Sequence, residues 1–306
     1  MSNEQISEIN KNETNQLDEQ SIMKNNSTDK KTKLENDEID INSENVTIYE
    51  SESLFDVKDE IINKHLSSLV KIESPILHKE FIKILSKPDL ENQKDINNKI
   101  YFIIKKLYEM GEIGKAYNLI KSIDYQTLSQ NDKLNYFQLI ELNYLFSTYN
   151  LSEVCETRSL YLDQSVALPK FLLEKTDIFC LTLENNFAEA KLLNSLLVDS
   201  ETDSDENFQK LFNYMTQKDQ NDLNFEALKS IKFKELIFLY SAMLRINELP
   251  LHEEFINIDP LNLSIPVILS NSTKMSTRIK AANQAFYDET LSINSLAALY
   301  QSVDFN

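Results

Sequence analysis

One supersecondary unit is written three times between Lys99 and Leu197, and this repetition constrains the chain more than any other feature. Leu107-Tyr108-Glu109-Met110-Gly111-Glu112-Ile113-Gly114-Lys115-Ala116 aligns with Leu145-Phe146-Ser147-Thr148-Tyr149-Asn150-Leu151-Ser152-Glu153-Val154. Both align with Leu181-Thr182-Leu183-Glu184-Asn185-Asn186-Phe187-Ala188-Glu189-Ala190. Each copy ends an apolar helix, makes a short polar turn, places a hydrophobe at the turn exit (Ile113, Leu151, Phe187) and opens a second helix on a small or apolar residue. Leu107 and Leu145 stand 38 residues apart, and Leu145 and Leu181 stand 36 apart. Those offsets fall within the ~34–47 residues typical of helix-turn-helix solenoid repeats. The second helices read Ala116-Ile120-Ile123, Val154-Cys155-Arg158 and Ala190-Leu193-Leu197, and the small residues at their starts allow a partner helix to approach closely.

The 306-residue chain holds two glycines, Gly111 and Gly114. Phosphate-cradling loops need several, because only a backbone without a side chain comes close to phosphate at positive φ. Walker and dinucleotide-binding fingerprints, and the GxSxG turn of serine hydrolases, are therefore excluded. The formal net charge of −18 argues against a nucleic-acid partner, whose affinity comes from cationic side chains, and against docking on an anionic membrane. No window supplies the ~20 apolar residues of a membrane span.

In chain order, residues 1–45 are polar and acidic, with isolated Ile and Leu and no aromatic residue. Such a stretch cannot bury enough apolar surface to offset its ordering entropy, so it is expected to be disordered. It also lacks the basic start and apolar run of a signal peptide, which points to a cytoplasmic chain, or a periplasmic one if an export signal lies upstream. Helical repeats are expected over 46–198, starting with a helix capped by Asp56 that carries Ile61, Ile62, Leu66 and Leu69. Ser74-Pro75 opens the next helix and Ser86-Lys87-Pro88 closes it. Residues 199–207 read as a solvated acidic linker in which Asp205 caps the helix that follows. A calcium loop fails there, because Ser204 and Lys210 occupy the positions that need glycine and glutamate. Residues 208–306 are expected to continue or cap the array, with short, angled helices around Pro250, Pro260 and Pro266.

Groups that could carry chemistry are sparse. His65, His78 and His252 fall in no metal-ligand spacing, and neither do Cys155 and Cys180. The two cysteines sit in apolar helical contexts, where a buried inert thiol is the usual state, although a bridge between them stays open. Glu253-Glu254 beside His252 reads as an acidic first helical turn that complements the helix dipole. No catalytic, cofactor-binding or metal-binding residue is assigned. Tyr101, Tyr108, Tyr117, Tyr136, Tyr144 and Tyr149 are dense within the repeats and are the candidates to line a concave groove for a peptide or partner helix. Core packing is the default role of each, because aromatic residues at helical spacing usually serve burial.

Four short stretches carry a resemblance: Ser74-Pro75 with Leu85-Ser86-Lys87-Pro88, Lys106-Leu107-Tyr108-Glu109-Met110-Gly111, Asn247-Glu248-Leu249-Pro250-Leu251, and Ser295-Leu296-Ala297-Ala298-Leu299-Tyr300-Gln301-Ser302-Val303. In their order the chain resembles, from about Thr47 to its end, a bacterial family of α-helical repeat proteins often labelled "antifreeze glycopeptide polyprotein-related". The resemblance implies a helical-repeat fold, is compatible with an export signal in relatives, and assigns no site residues.

The sequence thus predicts an all-α protein: a disordered acidic segment followed by a right-handed, tetratricopeptide-like stack of antiparallel helix pairs. Such a stack is expected to act as a non-enzymatic scaffold or adaptor for protein partners, with its acidic surface favouring basic ones. It has no cofactor and no nucleic-acid partner, and it does not insert into a membrane. The alternatives are an accessory subunit of an envelope-associated enzyme and an all-helical enzyme with a carboxylate site.

Overall fold

Five turns share one backbone solution, and they set the architecture of the chain. In the computed structural model, residues 57–69, 72–86, 96–123, 131–163, 168–200, 205–217, 228 and 231–302 are described. The acidic segment 1–45 and the proposed cap Asp56 lie outside them. Among the described residues the regular structure is helical throughout. The helices are α1 (Asp59–Ser68), α2 (Pro75–Ser86), α3 (Ile96–Glu109), α4 (Ile113–Lys121), α5 (Asn131–Ser147), α6 (Leu151–Asp163) and α7 (Lys170–Leu183). They continue with α8 (Phe187–Ser200), α9 (Glu206–Thr216), α10 (Ile237–Ile246, entered through a 3-10 turn at Lys234–Leu236), α11 (Glu253–Ile258), α12 (Pro260–Leu269), α13 (Met275–Tyr287) and α14 (Ile293–Gln301).

The three aligned turns end α3, α5 and α7 with a residue in the left-handed region: Gly111 (φ 79°), Tyr149 (φ 62°) and Asn185 (φ 62°). Glu248 (φ 56°) and Glu289 (φ 63°) do the same after α10 and α13. In all five the next residue's N–H reaches back to a carbonyl in the last helical turn at 2.9 Å: Glu112 to Leu107, Asn150 to Leu145, Asn186 to Leu181, Leu249 to Leu244 and Thr290 to Ala285. This is the Schellman closure, which satisfies carbonyls that the helix end would otherwise leave without a partner. The turn that the sequence shows three times is therefore closed in the same way at five places among the described residues.

Consecutive units lie in register. Lys133 of α5 donates to Asn98 of α3, and Asn143 donates 3.0 Å to the Tyr108 hydroxyl; both pairs are 35 residues apart. Between them the Tyr101 and Tyr136 rings meet edge to face at 5.7 Å. Each helix from α3 to α7 packs against the next. A linear stack makes only nearest-neighbour contacts, and the C-terminal half adds others. Helix α9 packs on α7, while α10 and α12 both pack on α5. Arg245 of α10 donates 2.9 Å to the Ser147 carbonyl and lies 4.7 Å over the Tyr149 ring. Asn262 of α12 reaches the Tyr108 carbonyl at 3.4 Å. Gly111 is pressed so closely by Leu261 and Thr290 that an added Cβ would stand 2.6 Å from Thr290 Cγ2. Helices α9, α10 and α12 thus pack back on α5 and α7, and the C-terminal helices share one apolar core with them, from Tyr117 to Leu299. A second core gathers Ile62, Ile82, Ile103, Leu107, Ile120 and Phe137, and Ile113 packs against both.

Several local expectations are corrected. Helix α1 begins at Asp59 after Lys58, which makes no side-chain cap. Asp199 and Ser200 belong to α8 rather than to a linker. Asp205 does cap α9, accepting from Phe208 N at 3.1 Å, yet it is buried rather than solvated. On α14 the buried positions are Leu296 and Leu299, while Ile293 is 60% and Tyr300 39% exposed. Pro75 and Pro260 open their helices, α11 is only six residues long, and Pro266 sits inside α12.

Candidate functional site

The six tyrosines gather in two groups, and each is engaged within the fold. Tyr101, Tyr108 and Tyr136 form one edge-to-face chain, with Tyr108 and Tyr136 centroids 6.2 Å apart. Burial pushes the Tyr108 phenol up, the nearby Asp259 carboxylate adds to this, and the hydrogen bond from Asn143 opposes it. Tyr136 is likewise raised, first by burial. In the second group Tyr117 stacks on Tyr144 at 4.1 Å and donates 2.9 Å to Glu153 Oε1. Burial and that hydrogen bond raise the Tyr117 phenol, and burial raises Tyr144. Tyr149 occupies the left-handed turn position beneath Arg245. The six are buried or half-buried, and they tie successive helices to one another and to the returning C-terminal half.

Two charged clusters accompany them. Lys121 Nζ lies 2.8 Å from Glu141 and 3.8 Å from Glu153, so one ammonium bridges two carboxylates on α5 and α6. Further along, Lys175 of α7 is fully buried and lies 3.1 Å from Asp205 Oδ2. Tyr240 of α10 donates to the same oxygen at 2.5 Å. The Lys175 ammonium is also ringed by Phe171, Phe208 and Phe233, at 5.7, 5.6 and 5.3 Å. Buried Glu141 and the buried Lys175–Asp205 pair thus find opposite charges at helix junctions, as buried charges require, while Lys121 itself is about half exposed.

The histidines do not converge. His65 is exposed on α1, and His78 of α2 faces Glu289 with Nδ1 3.2 Å from Oε2. His252 precedes α11, where Glu253 pairs with Lys280 at 2.5 Å and Glu254 accepts from Ile231 N. Among the described residues no group of three or more His, Cys, Asp or Glu could hold a metal ion. Cys155 and Cys180 are joined in a disulfide between α6 and α7, so the expectation of inert thiols is corrected. The pairing follows from helix packing: Arg158, one turn beyond Cys155, reaches the Asp177 carboxylate at 3.4 Å on the facing helix.

The feature that sequence reasoning missed is the outer face of α8. Ala190 and Leu197 are buried against α7, as their spacing predicted. The same helix carries Ala188, Leu192 and Leu196 at i, i+4 and i+8 on the other side; Leu192 is 60% and Leu196 56% exposed. A helix that is apolar on two faces signals either full burial or an outward contact. Only the inward row was read from the sequence.

No membrane-spanning length of apolar helix occurs among the described residues. Compared with protein-family models, with curated proteins and with solved structures, the chain matches none.

Proposed function

We propose that the chain is a non-enzymatic helical-repeat scaffold that binds another protein through the outer face of α8 rather than through a tyrosine-lined groove. The observation that carries this reading is the row Ala188–Leu192–Leu196, held rigidly on a helix whose other face is locked into the core. Full burial of a leucine side chain gains roughly 1.5–3 kcal/mol, so two half-exposed leucines one turn apart form an effective docking strip for an apolar helix face. Glu189 and Asp199 are exposed around this row beside Lys191, on a chain of formal net charge −18. Charge complementarity therefore selects an amphipathic helix with basic flanks as the partner. The tetratricopeptide-like stack is supported by the 35-residue register between α3 and α5 and by the five alike turns. The family resemblance adds no activity to this reading.

The test uses tagged full-length protein and a Leu192→Glu/Leu196→Glu variant, expressed in the native host and captured at low and moderate salt. The expected result is a partner with a basic amphipathic helix that is held by the original chain, weakened by salt and lost from a variant of unchanged helix content. Equal capture by both chains, or capture by neither, overturns the proposal.

A further inference from the structure

The bridge between Cys155 and Cys180 is placed asymmetrically. Cys155 of α6 is partly exposed, whereas Cys180 of α7 has 0% exposure and sits in the apolar core beside Phe179 and Leu181. Their Cα atoms are 5.4 Å apart across a sequence separation of 25, within the span that a disulfide can bridge without backbone movement. The facing of the two helices does not depend on the bond alone. Arg158 donates to the Asp177 carbonyl at 3.2 Å and to both Glu184 carboxylate oxygens at 3.1 Å, all on or just beyond α7. No other cysteine exists to compete for either sulfur.

We infer that the Cys155–Cys180 bridge is a permanent covalent tie and that the chain works in a compartment where disulfides persist, outside a reducing cytoplasm. Its formation is two exchanges with an external disulfide, such as that of an oxidising dithiol enzyme. One cysteine thiolate attacks a sulfur of that disulfide and releases the other as a thiolate. The second cysteine then attacks the mixed disulfide and releases the remaining external sulfur. The chain loses two hydrogens, and the external disulfide becomes a dithiol. Reversal begins with a thiolate attacking the reachable sulfur, that of Cys155, and expelling the Cys180 thiolate into an apolar interior. A buried thiolate is disfavoured there and is a poor leaving group. Reduction of the folded protein is therefore slow even when reductant is abundant. Disulfides of this protected kind belong to oxidising compartments, which replaces the cytoplasmic expectation with its alternative.

The test has two arms, both on the full-length chain. In the first, native-host cells are quenched in acid, free thiols are alkylated, and the 155 and 180 peptides are read by mass spectrometry. The expected result is a linked peptide pair with neither cysteine alkylated; alkylation of both overturns the compartment assignment. In the second, purified protein is exposed to excess dithiothreitol, folded or unfolded in guanidinium. Reduction of the folded form is expected to be at least tenfold slower, and equal rates overturn the permanent tie.

Discussion

Lys175 and Asp205 meet at 3.1 Å with the lysine fully buried and the Asp205 side chain 4% exposed. The pair joins α7 to the cap of α9, and the Tyr240 hydroxyl brings α10 onto the same carboxylate. It therefore stands where the chain leaves the sequential stack and turns back over it. Removing one partner of a buried pair leaves an uncompensated charge, at a cost of about 3–5 kcal/mol. Lys175→Met is predicted to lose that much in urea unfolding, and Asp205→Asn a comparable amount. The double variant should lose clearly less than the sum, since the two side chains act as one unit. Additive losses would show that the pair is not coupled.

The two glycines should respond in opposite directions. Gly111 has φ 79°, and a Cβ there meets Thr290 Cγ2 at 2.6 Å and Leu261 Cβ at 3.1 Å. Gly111→Ala combines a left-handed backbone penalty of about 1–2 kcal/mol with a clash of about 1–3 kcal/mol. At Gly114, in the first turn of α4, a Cβ meets only Tyr144 Cε2 at an ordinary 3.5 Å. Gly114→Ala is predicted to stabilise by about 0.5–1 kcal/mol, because alanine loses less conformational freedom on helix formation. Thermal unfolding of the two variants against the parent chain checks both signs.

Glu248 offers a second probe of the turns. It holds φ 56° on an exposed side chain, so Glu248→Gly removes the strain without opening the core. A gain of about 0.5–1 kcal/mol is expected, which is the left-handed penalty less the added flexibility of glycine. Loss of stability would mean that Glu248 makes a contact worth more than its strain.

Protonation gives predictions at both ends of the pH scale. Burial raises the Asp259 carboxyl above its ordinary value, opposed by hydrogen bonds from Asn262 and Leu261. An acid whose folded value is raised contributes stability that is full below its unfolded value and is lost as pH rises through the folded one. Asp259→Asn retains a good cap for α12 without the charge, so the variant should gain on the parent as pH rises above the ordinary carboxylate value of about 3.9. At the alkaline end Tyr108, Tyr117, Tyr136 and Tyr144 are all raised by burial. By the same sign rule their contribution is full below about pH 10 and is lost above it. Tyrosinate absorbance should show these four ionising together with alkaline unfolding; smooth ionisation of all tyrosines before unfolding would contradict their burial.

How far the sequence carried the fold depends on the range of each contact. Leu107, Leu145 and Leu181 were legible because a helix end, a polar turn and a hydrophobic exit are local signals. The turns at Glu248 and Glu289 use the same closure but escaped notice, since Pro250 obscures the first and Ala285 replaces the leucine in the second. The role of the tyrosines could not be read from spacing. Periodicity puts Tyr101, Tyr108, Tyr136 and Tyr144 on helix faces, but Asn262 reaches Tyr108 from 154 residues away, and Arg245 reaches Tyr149 from far along the chain. The disulfide was left open for the same reason, because only the crossing of α6 and α7 decides which side chains meet. On α8 both faces carry leucines, and one stripe masked the other.

The proposed function stands or falls with a partner helix seated on the Leu192–Leu196 face of α8. The most direct measurement is photo-cross-linking in the native host, with a photoreactive residue at position 196 and a control at exposed Asn271, in the turn between α12 and α13. One cross-linked partner is expected at 196 that is absent at 271, mapped to a basic amphipathic helix. No adduct at 196, or the same adducts at both positions, would contradict it.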